Sequence, residues 1–416
     1  MLAKFEYWRE FVMKKALVGF LVAALAVGAA SAVVAAPAAF HIGVCTSTVS
    51  QAEDDFRAAE MLIKKYGDVA SGGMVKHVTY PDNFMTEQET TISQITAFAD
   101  DPQMKAVVVK TAVPGTTEAF RRIREKRPDI LLFAGENHED PGVITPVADL
   151  VVHSDSIARG YLNILAAHKL GCTDFVHISF PRHMSYELMS RRARIMEQTC
   201  KDLGMSYHYE SAPDPTSDVG IAGAQQFILE HVPQWIDRYG EKTAFFCTND
   251  AETEPLLRRI AEEGKGYFIE ADVPSPLLGY PGALGVDLAD VAGDFPAILK
   301  KVEDAVIAKG GAGRMGTWAY SYAFSTCQTL TEYAKACVEN GVTPMNFRRR
   351  FRKDDLLATY NTLTPGTKWN GTPYKDANTG LEYKNYILVY QDTYIFGKGY
   401  LHMTDETVPE KYLTMK

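Results

Sequence analysis

Residues 243–264 predict a strand, a polar turn and a helix in immediate succession. The apolar run 244–247 ends in Thr248, Asn249 and Asp250, and apolar residues then recur at helical spacing until Gly264. This order is typical of a buried parallel strand followed by its crossover helix. Ligands of open α/β sheets bind at the carboxyl ends of strands, so Asn249 and Asp250 are predicted ligand contacts. Capping the helix N-terminus is the alternative role.

The same unit recurs in two series along the chain. The predicted strands of the first series are residues 40–45, 75–79, 105–110, 130–134 and 150–153, with helices at 50–66 and 86–99. Those of the second series are residues 175–179, 207–210, 244–247, 266–270 and 276–280. A capping box of Thr86 and Glu89 is predicted to begin the helix at 86–99. Two series of this kind predict an α/β fold with two lobes and a cleft between them.

The C-terminal part differs in character. A helix is predicted over residues 318–340, and the tail 343–416 is aromatic and prone to form strands, notably at 386–390 and 393–396. We expect this tail to be an aromatic extension that packs on the lobes.

The N-terminus has the organisation of a Sec signal peptide at residues 1–32. Lys14 and Lys15 precede an apolar run that ends in small residues, as a signal peptide requires. Met13 is an alternative start, and Ala38 an alternative end of the cleaved segment. A transmembrane anchor is the other interpretation. The sequence therefore predicts a secreted or periplasmic protein.

Composition and motifs narrow the classes of function. The formal net charge of −9 argues against a nucleic-acid partner. The six cysteines form no C-x-x-C pair, and disulfides Cys172–Cys200 and Cys327–Cys337 are left open. P-loop, G-x-S-x-G, H-E-x-x-H and dinucleotide-binding motifs are absent from the sequence, which favours a binding protein over an enzyme. No catalytic residue, cofactor or metal is predicted.

Polar or aromatic side chains follow the predicted strands, where free N–H groups of helix N-termini favour polar or anionic ligand groups. Arg182 has the side chain to hold a carboxylate or phosphate with its two-pronged guanidinium. Helix capping or core packing is the alternative role for each. The candidate ligand-binding residues are Thr46, Ser47, Thr48, Lys110, Thr111, Glu136, Asn137, Phe180, Arg182, His183, Asn249, Asp250 and Tyr280.

Three short patches resemble type I periplasmic binding proteins, the superfamily of sugar-binding proteins and repressor ligand-binding domains. The patches are residues 245–250, residues 151–155 with Gly160, and residues 276–280. The resemblance covers roughly residues 40–340. It implies two Rossmann-like lobes with parallel sheets joined by a hinge. It also implies a departure, because Pro281 stands where sugar-binding members have an Asp that holds sugar hydroxyls.

On this resemblance, we expect lobe 1 to contain residues 39–152 and about 285–318. Lobe 2 would contain residues 153–284 and about 319–342. The leading hypothesis is a monomeric solute-binding protein that delivers a small polar ligand to an ABC permease in the inner membrane. A ligand sensor that docks on a membrane receptor or kinase is the alternative. A cleft hydrolase with His183 or Glu136 as base ranks third.

Overall fold

The computed structural model describes residues 38–416. The predicted signal peptide and the alternative start at Met13 lie outside these residues. Within residues 38–416, no helix combines the length and the hydrophobicity needed to cross a bilayer.

The first lobe is built on five mutually parallel strands in the order β5-β4-β3-β1-β2. Their apolar side chains are buried on both faces, as expected of a parallel sheet covered by helices. The strands are β1 (His41–Thr46), β2 (Val75–Thr79), β3 (Met104–Val109), β4 (Leu131–Gly135) and β5 (Leu150–Ser154). The connecting helices are α1 (Glu53–Tyr66), α2 (Gln88–Thr96), α3 (Thr116–Lys126) and α4 (Pro141–Ile144), with 3₁₀ turns at Val69–Ser71 and Ala97–Asp100.

The predicted capping box at Thr86 and Glu89 is wrong. Helix α2 begins at Gln88, and the residue before it, Glu87, makes no capping hydrogen bond with its side chain. The Thr86 hydroxyl instead donates to the carbonyl oxygen of Asn83 in the preceding turn. Local turn formation thus uses the side chain that the pattern assigned to the helix.

The second lobe has four parallel strands in the order β7-β6-β8-β9. They are β6 (Asp174–Ser179), β7 (Ser206–Ser211), β8 (Thr243–Cys247) and β9 (Tyr267–Phe268). The helices are α5 (Ser156–Lys169), α6 (Pro181–Met184), α7 (Glu187–Leu203), α8 (Gly220–Tyr239) and α9 (Asp250–Glu263).

The strand predicted at 276–280 does not form. Tyr280 instead begins a short helix, α10 (Tyr280–Leu284), with Pro281 in its first turn. Proline is favoured there because its missing N–H would have no helical partner at that position. Tyr280 is buried, and its hydroxyl donates to the carbonyl oxygen of Gly316 at 2.6 Å.

The predicted lobe assignment of residues 285–342 is reversed in the structure. After α11 (Phe295–Ala308), Met315 pairs in parallel with Phe268 of the second lobe, and β10 (Gly316–Trp318) follows. Helix α12 (Tyr322–Glu339) then packs against α1, β3 and β4 of the first lobe. The chain has therefore crossed between the lobes at residues 318–322, before the helix rather than after it. A 3₁₀ turn at Ala289–Val291 precedes α11.

The tail adds two strands to the first sheet and forms a separate three-stranded sheet with β10. The strands predicted at 386–390 and 393–396 are confirmed as parts of β12 (Glu382–Gln391) and β13 (Thr393–Ile395). β12 lies parallel to β5 and is flanked by the antiparallel edge strand β11 (Trp369–Lys375), so the first sheet has seven strands. β13 lies between β10 and β14 (Gly399–Tyr400). The remaining helices are α13 (Pro344–Arg350), α14 (Lys353–Leu363) and α15 (Glu410–Leu413), with a 3₁₀ turn at Met403–Asp405.

A buried carboxylate joins the segments that cross between the lobes, at residues 154–156, 318–322 and 391–393. Glu270 accepts from the Arg159 guanidinium at 2.7 Å, from the Trp318 indole N–H at 2.9 Å and from the Thr393 hydroxyl at 3.2 Å. Arg159 follows the first crossing, and its other nitrogens donate to the carbonyl oxygens of Ala271 and Asp272. Arg159 and Glu270 are almost completely buried. The crossing segments are therefore held together by a charged pair with nearly all its hydrogen bonds satisfied.

The six cysteines are all free thiols, and all are buried. The Cys172–Cys200 and Cys327–Cys337 disulfides left open by the sequence are therefore not formed. Burial raises the pKa of the Cys45 and Cys172 thiols to about 12, which keeps them protonated and unreactive.

Replacing Arg159 by Met is expected to lower the free energy of unfolding by about 3–5 kcal/mol, because it leaves the Glu270 charge buried without its partner. Urea denaturation followed by circular dichroism measures this. Arg57→Met is the matched control, since Arg57 pairs with Glu53 at half-exposed positions and such pairs contribute under about 1 kcal/mol. Equal losses in the two variants would contradict the structural role of Arg159.

Titration with Ellman's reagent is expected to detect no fast-reacting thiol in the native protein. All six should react in guanidinium chloride without reductant. A Cys172–Cys200 or Cys327–Cys337 disulfide would lower the denatured count by two.

Candidate ligand-binding cleft

Turns that follow strands of the two lobes lie close to one another. His138, after β4 of the first lobe, stacks on Tyr186 of the second lobe. Asp250, at the start of α9 after β8, lies close enough to Glu136, Asp54 and Asp55 of the first lobe for their charges to affect its ionisation, and Asp272 after β9 adds a further carboxylate. The region between these turns is here called the interlobe cleft.

On the first lobe, Lys110 is neutralised by Asp55. Their charged atoms are 3.4 Å apart, and both side chains are buried. Thr111 donates to the second oxygen of Asp55 at 2.7 Å. The Lys110 ammonium also lies over the Tyr322 ring, 5.1 Å from its centre. Lys110 is therefore held in place and its charge is already shared.

Glu136 is the ionised centre of the first-lobe wall. Its Oε1 lies 3.4 Å from Nε2 of His153. Burial alone would raise the pKa of Glu136, but the charges of His153 and Lys110 and the nearby Tyr322 hydroxyl bring it down to about 2. Glu136 is therefore ionised at neutral pH, although it is buried with only 8% of its surface exposed.

Two residues of this wall have strained backbones. Thr111 and Glu136 have φ angles of 57° and 42°, the left-handed region that side chains other than glycine rarely adopt. They follow neighbouring strands, β3 and β4. Strain of this kind persists where the surrounding structure fixes it, and it concentrates at binding and active sites.

Asp250 is the unpaired group of the second-lobe wall. Protein surrounds it, yet its side chain keeps partial solvent exposure, and it makes no hydrogen bond or ion pair with any residue in 38–416. Burial and the charges of Asp272, Glu136, Asp54 and Asp55 raise the pKa of Asp250 to about 8. The preceding residue, Asn249, takes the capping role, because its side chain accepts from the N–H of Ala251 at 2.9 Å.

Aromatic side chains from both lobes meet at one side of the cleft. The rings of His138 and Tyr186 stack with centres 6.3 Å apart. His183 packs between Phe180 and Tyr186, and its Nδ1 lies 3.1 Å from the Thr248 hydroxyl. Burial lowers the pKa of both His138 and His183 to about 4, so both rings are neutral at pH 7.

The features that the sequence predicted to favour anions are occupied by the protein's own carboxylates. Arg182 makes a two-pronged pair with Asp214, with N···O distances of 2.7 and 3.0 Å, and stacks on Phe180. At the N-terminus of α3, the Glu139 carboxylate accepts from the backbone N–H groups of Gly115 and Thr117. The local structure therefore leaves these donors satisfied.

Other predicted residues make contacts within their own turns or in the core. The Thr46 hydroxyl bonds His77, and that of Ser47 donates to the carbonyl oxygen of Ala52. Thr48 donates to Asp82 near the surface. Asn137 folds back on the backbone of Glu139. Tyr280 lies in the core of the second lobe, as described above.

Sequence reasoning missed several residues of the cleft. Asp54 accepts from the hydroxyls of Ser275 and Ser321, and Asp272 pairs with the buried Arg192. His153 and Tyr322 approach Glu136. Only Asp272 could have been found from the sequence, because it is an acidic residue just after the predicted strand 266–270. The prediction placed the candidate contact at the end of residues 276–280 instead. Asp54 and Tyr322 lie near the starts of helices, and His153 lies in β5 just before a crossing between the lobes. The sequence pattern does not show that these segments approach the cleft.

Two surface grooves of about 400 and 410 Å³ lie outside the interlobe cleft. The first is lined by residues such as Met61, Phe295 and Tyr320, and the second by residues such as Phe347 and Tyr383. Their lining contains none of the strand-end residues that form the cleft.

Replacing Asp250 by Asn is expected to stabilise the ligand-free protein at alkaline pH. The folded state holds the Asp250 proton up to about pH 8 and the unfolded chain releases it near its ordinary value of 3.8, so this contribution to stability is lost as pH rises between these values. The variant lacks that loss. Its free energy of unfolding should match that of the native protein near pH 4 and exceed it by about 2 kcal/mol near pH 8.5.

Urea denaturation at several pH values measures this difference. Asp304→Asn is the control, because Asp304 is 60% exposed on α11 and pairs only with Lys300. A difference between native protein and Asp250→Asn that does not grow with pH would contradict the burial of Asp250 among carboxylates.

Comparison with solved structures identifies the fold. A candidate transcriptional regulator from Clostridium difficile 630 superposes with a TM-score of 0.72 at 22% identity, covering 86% of this chain and 99% of that chain. A periplasmic binding protein/LacI transcriptional regulator from Alkaliphilus metalliredigens QYMF, complexed with D-xylulofuranose, gives a TM-score of 0.42 at 13% identity, covering 73% and 91%. The predicted α/β fold of two lobes with parallel sheets is confirmed by the first of these superpositions.

Sequence comparison identifies the family. An uncharacterized protein from Treponema pallidum (strain Nichols) is 40% identical over 219 residues, covering 53% of this chain and 99% of that protein. A second family model, which carries no functional description, matches residues 327–415. The model described as "Protein of unknown function (DUF3798)" matches residues 40–316, more than half of the chain, and the protein therefore belongs to the DUF3798 family.

Proposed function

We propose that this protein is an exported solute-binding protein that captures a small polar ligand in the interlobe cleft and delivers it to an ABC-type permease. The observation that carries the proposal is Asp250 of the second lobe, which faces Glu136 of the first without a partner of its own among the described residues. Because its pKa is raised to about 8, Asp250 is a neutral carboxyl at pH 7 without ligand, and a largely buried carboxyl without a hydrogen-bond partner is destabilising unless a bound molecule contacts it.

The hinge supports a binding role. The crossing segments are tied together at Glu270, two residues before Asp272 of the cleft. Rotation of the lobes about these segments would allow a ligand to favour the closed arrangement by contacting both polar walls. Such closure would present a surface made of both lobes to a membrane partner.

Export is the part of the proposal that depends on residues 1–32 alone. Lys14 and Lys15, the apolar run and the small residues before the cleavage site are the organisation of a signal peptide. A sensor that docks on a membrane receptor or kinase would use the same cleft. Cross-linking the protein to inner membranes and identifying the attached membrane protein by mass spectrometry would distinguish a permease from a kinase.

Ligand capture is tested by thermal-shift screening of sugars, polyols, amino acids, amines and nucleosides, with mass spectrometry of any compound that co-purifies. A ligand at about 100 times its Kd should stabilise the protein by about 2.7 kcal/mol. Small-angle scattering with the same ligand should show a smaller radius of gyration. Glu136→Gln should weaken both effects, whereas Asp304→Asn at the surface should leave them unchanged.

The proposed function is wrong if no compound stabilises the protein, none co-purifies and scattering stays constant. Conversion of the compound by the protein, abolished in His183→Ala, would instead identify a cleft hydrolase.

A further inference from the structure

We propose that the ligand carries a protonated amine or guanidinium group, and that Glu136 of the first lobe and Asp250 of the second lobe bind it together. This inference rests on the proposed function, because it concerns the ligand of the same interlobe cleft. It names the chemical class of that ligand.

The cleft contains more carboxylates than cations. Of the five acidic side chains that surround it, Asp55 is paired with Lys110, and Asp272 is paired with Arg192. Asp54 accepts only from two serine hydroxyls. The group most in need of a cation is Asp250, which has no partner in the described chain. A ligand cation would reduce the repulsion among these carboxylates.

Unpartnered polar atoms in the cleft are an independent sign of a missing ligand. Oε2 of Glu136 and the hydroxyl of Tyr322 are both buried, and within residues 38–416 neither makes a hydrogen bond of normal length and angle. The two side chains are neighbours that interact weakly with each other, since each affects the ionisation of the other. Buried polar groups are paired in the great majority of proteins, and leaving one unpaired costs about 1–3 kcal/mol.

An ammonium group matches these atoms. It has three N–H donors and no acceptor, which complements a cleft whose unsatisfied groups are carboxyl and hydroxyl oxygens. Hydrogen bonds between a cation and a carboxylate are about twice as strong as those between neutral groups. A guanidinium offers the same charge with five donors.

Each cationic side chain near the cleft already has a carboxylate partner. Arg182 is held by Asp214, Lys110 by Asp55, and Arg192 by Asp272, although two nitrogens of Arg192 make no hydrogen bond within residues 38–416. An anionic ligand would compete with these carboxylates, whereas a cation would add the charge that the acidic side chains lack. The balance of charge therefore favours a positively charged ligand.

An organic cation fits better than a metal ion. The described residues include no group of three or more His, Cys, Asp and Glu side chains arranged to hold a metal. The Tyr322 ring, which already lies under the Lys110 ammonium, and the stacked His138 and Tyr186 rings give the cleft aromatic faces. Such faces attract ammonium groups and the apolar parts attached to them.

The test uses probe pairs that differ only in the charged group. Butane-1,4-diamine is compared with butane-1,4-diol, and D-glucosamine with D-glucose, by isothermal titration at neutral pH; agmatine provides a guanidinium probe. At least one cationic probe should bind, and at least about tenfold more tightly than its neutral counterpart, as expected for one charge-assisted contact.

Variants locate the contact. Asp250→Asn and Glu136→Gln keep the shape of each side chain and remove its ability to be ionised beside a bound cation, and each should weaken binding of the cationic probe about tenfold or more. Asp304→Asn removes the same charge from the exposed face of α11 and should change binding less than about twofold. Circular dichroism of each variant confirms that it is folded.

Three results would overturn the inference. The first is tighter binding of a neutral probe, with compaction in scattering, which would leave the proposed function intact. The second is binding of Ca²⁺, abolished by chelator, with no binding of any amine or guanidine. The third is that no cationic probe binds, in which case the screen described above decides the proposed function separately.

Discussion

The buried ion pair between Arg159 and Glu270 is the interaction on which the arrangement of the two lobes depends. Glu270 receives donors from Arg159, Trp318 and Thr393, which come from three different crossings between the lobes. A buried carboxylate is tolerated only when its charge is balanced and its oxygens are bonded. The crossings therefore have to be placed together, and their placement fixes which strand ends face each other.

The cleft follows from that placement. Glu136 and Asp250 follow strands of different sheets, and the arrangement of the two lobes brings them close enough for their charges to interact. The pKa values of the two carboxyl groups differ in direction. His153 and Lys110 lower the pKa of Glu136, whereas burial and neighbouring carboxylates raise that of Asp250. The same packing satisfies Arg182 and the N-terminus of α3 internally. The polarity of the cleft is thus a property of both lobes together.

Much of the fold could be predicted because local pattern specifies it. The strands at residues 130–134 and 244–247 were predicted closely, since continuous apolar runs form buried parallel strands. The strand at 276–280 was wrong because Gly279 and Pro281 favour a turn and a helix start. Of the candidate site, the strand-end positions Glu136 and Asp250 came from the sequence. Asp54, His153 and Tyr322 did not, because their approach to the cleft depends on contacts between distant segments.

The sequence by itself determined the alternation of strands and helices, the two-lobe class and the positions where polar side chains end the strands. Those features depend on hydrophobic period and turn chemistry, which are local. Only the tertiary structure decided that the tail strand β12 joins the first sheet, that helix α12 belongs to the first lobe, and that Asp250 is unpaired while Arg182 is paired. Strand pairing and burial of charge bring together residues that are far apart in the chain. The sequence pattern does not show how close such residues lie in space.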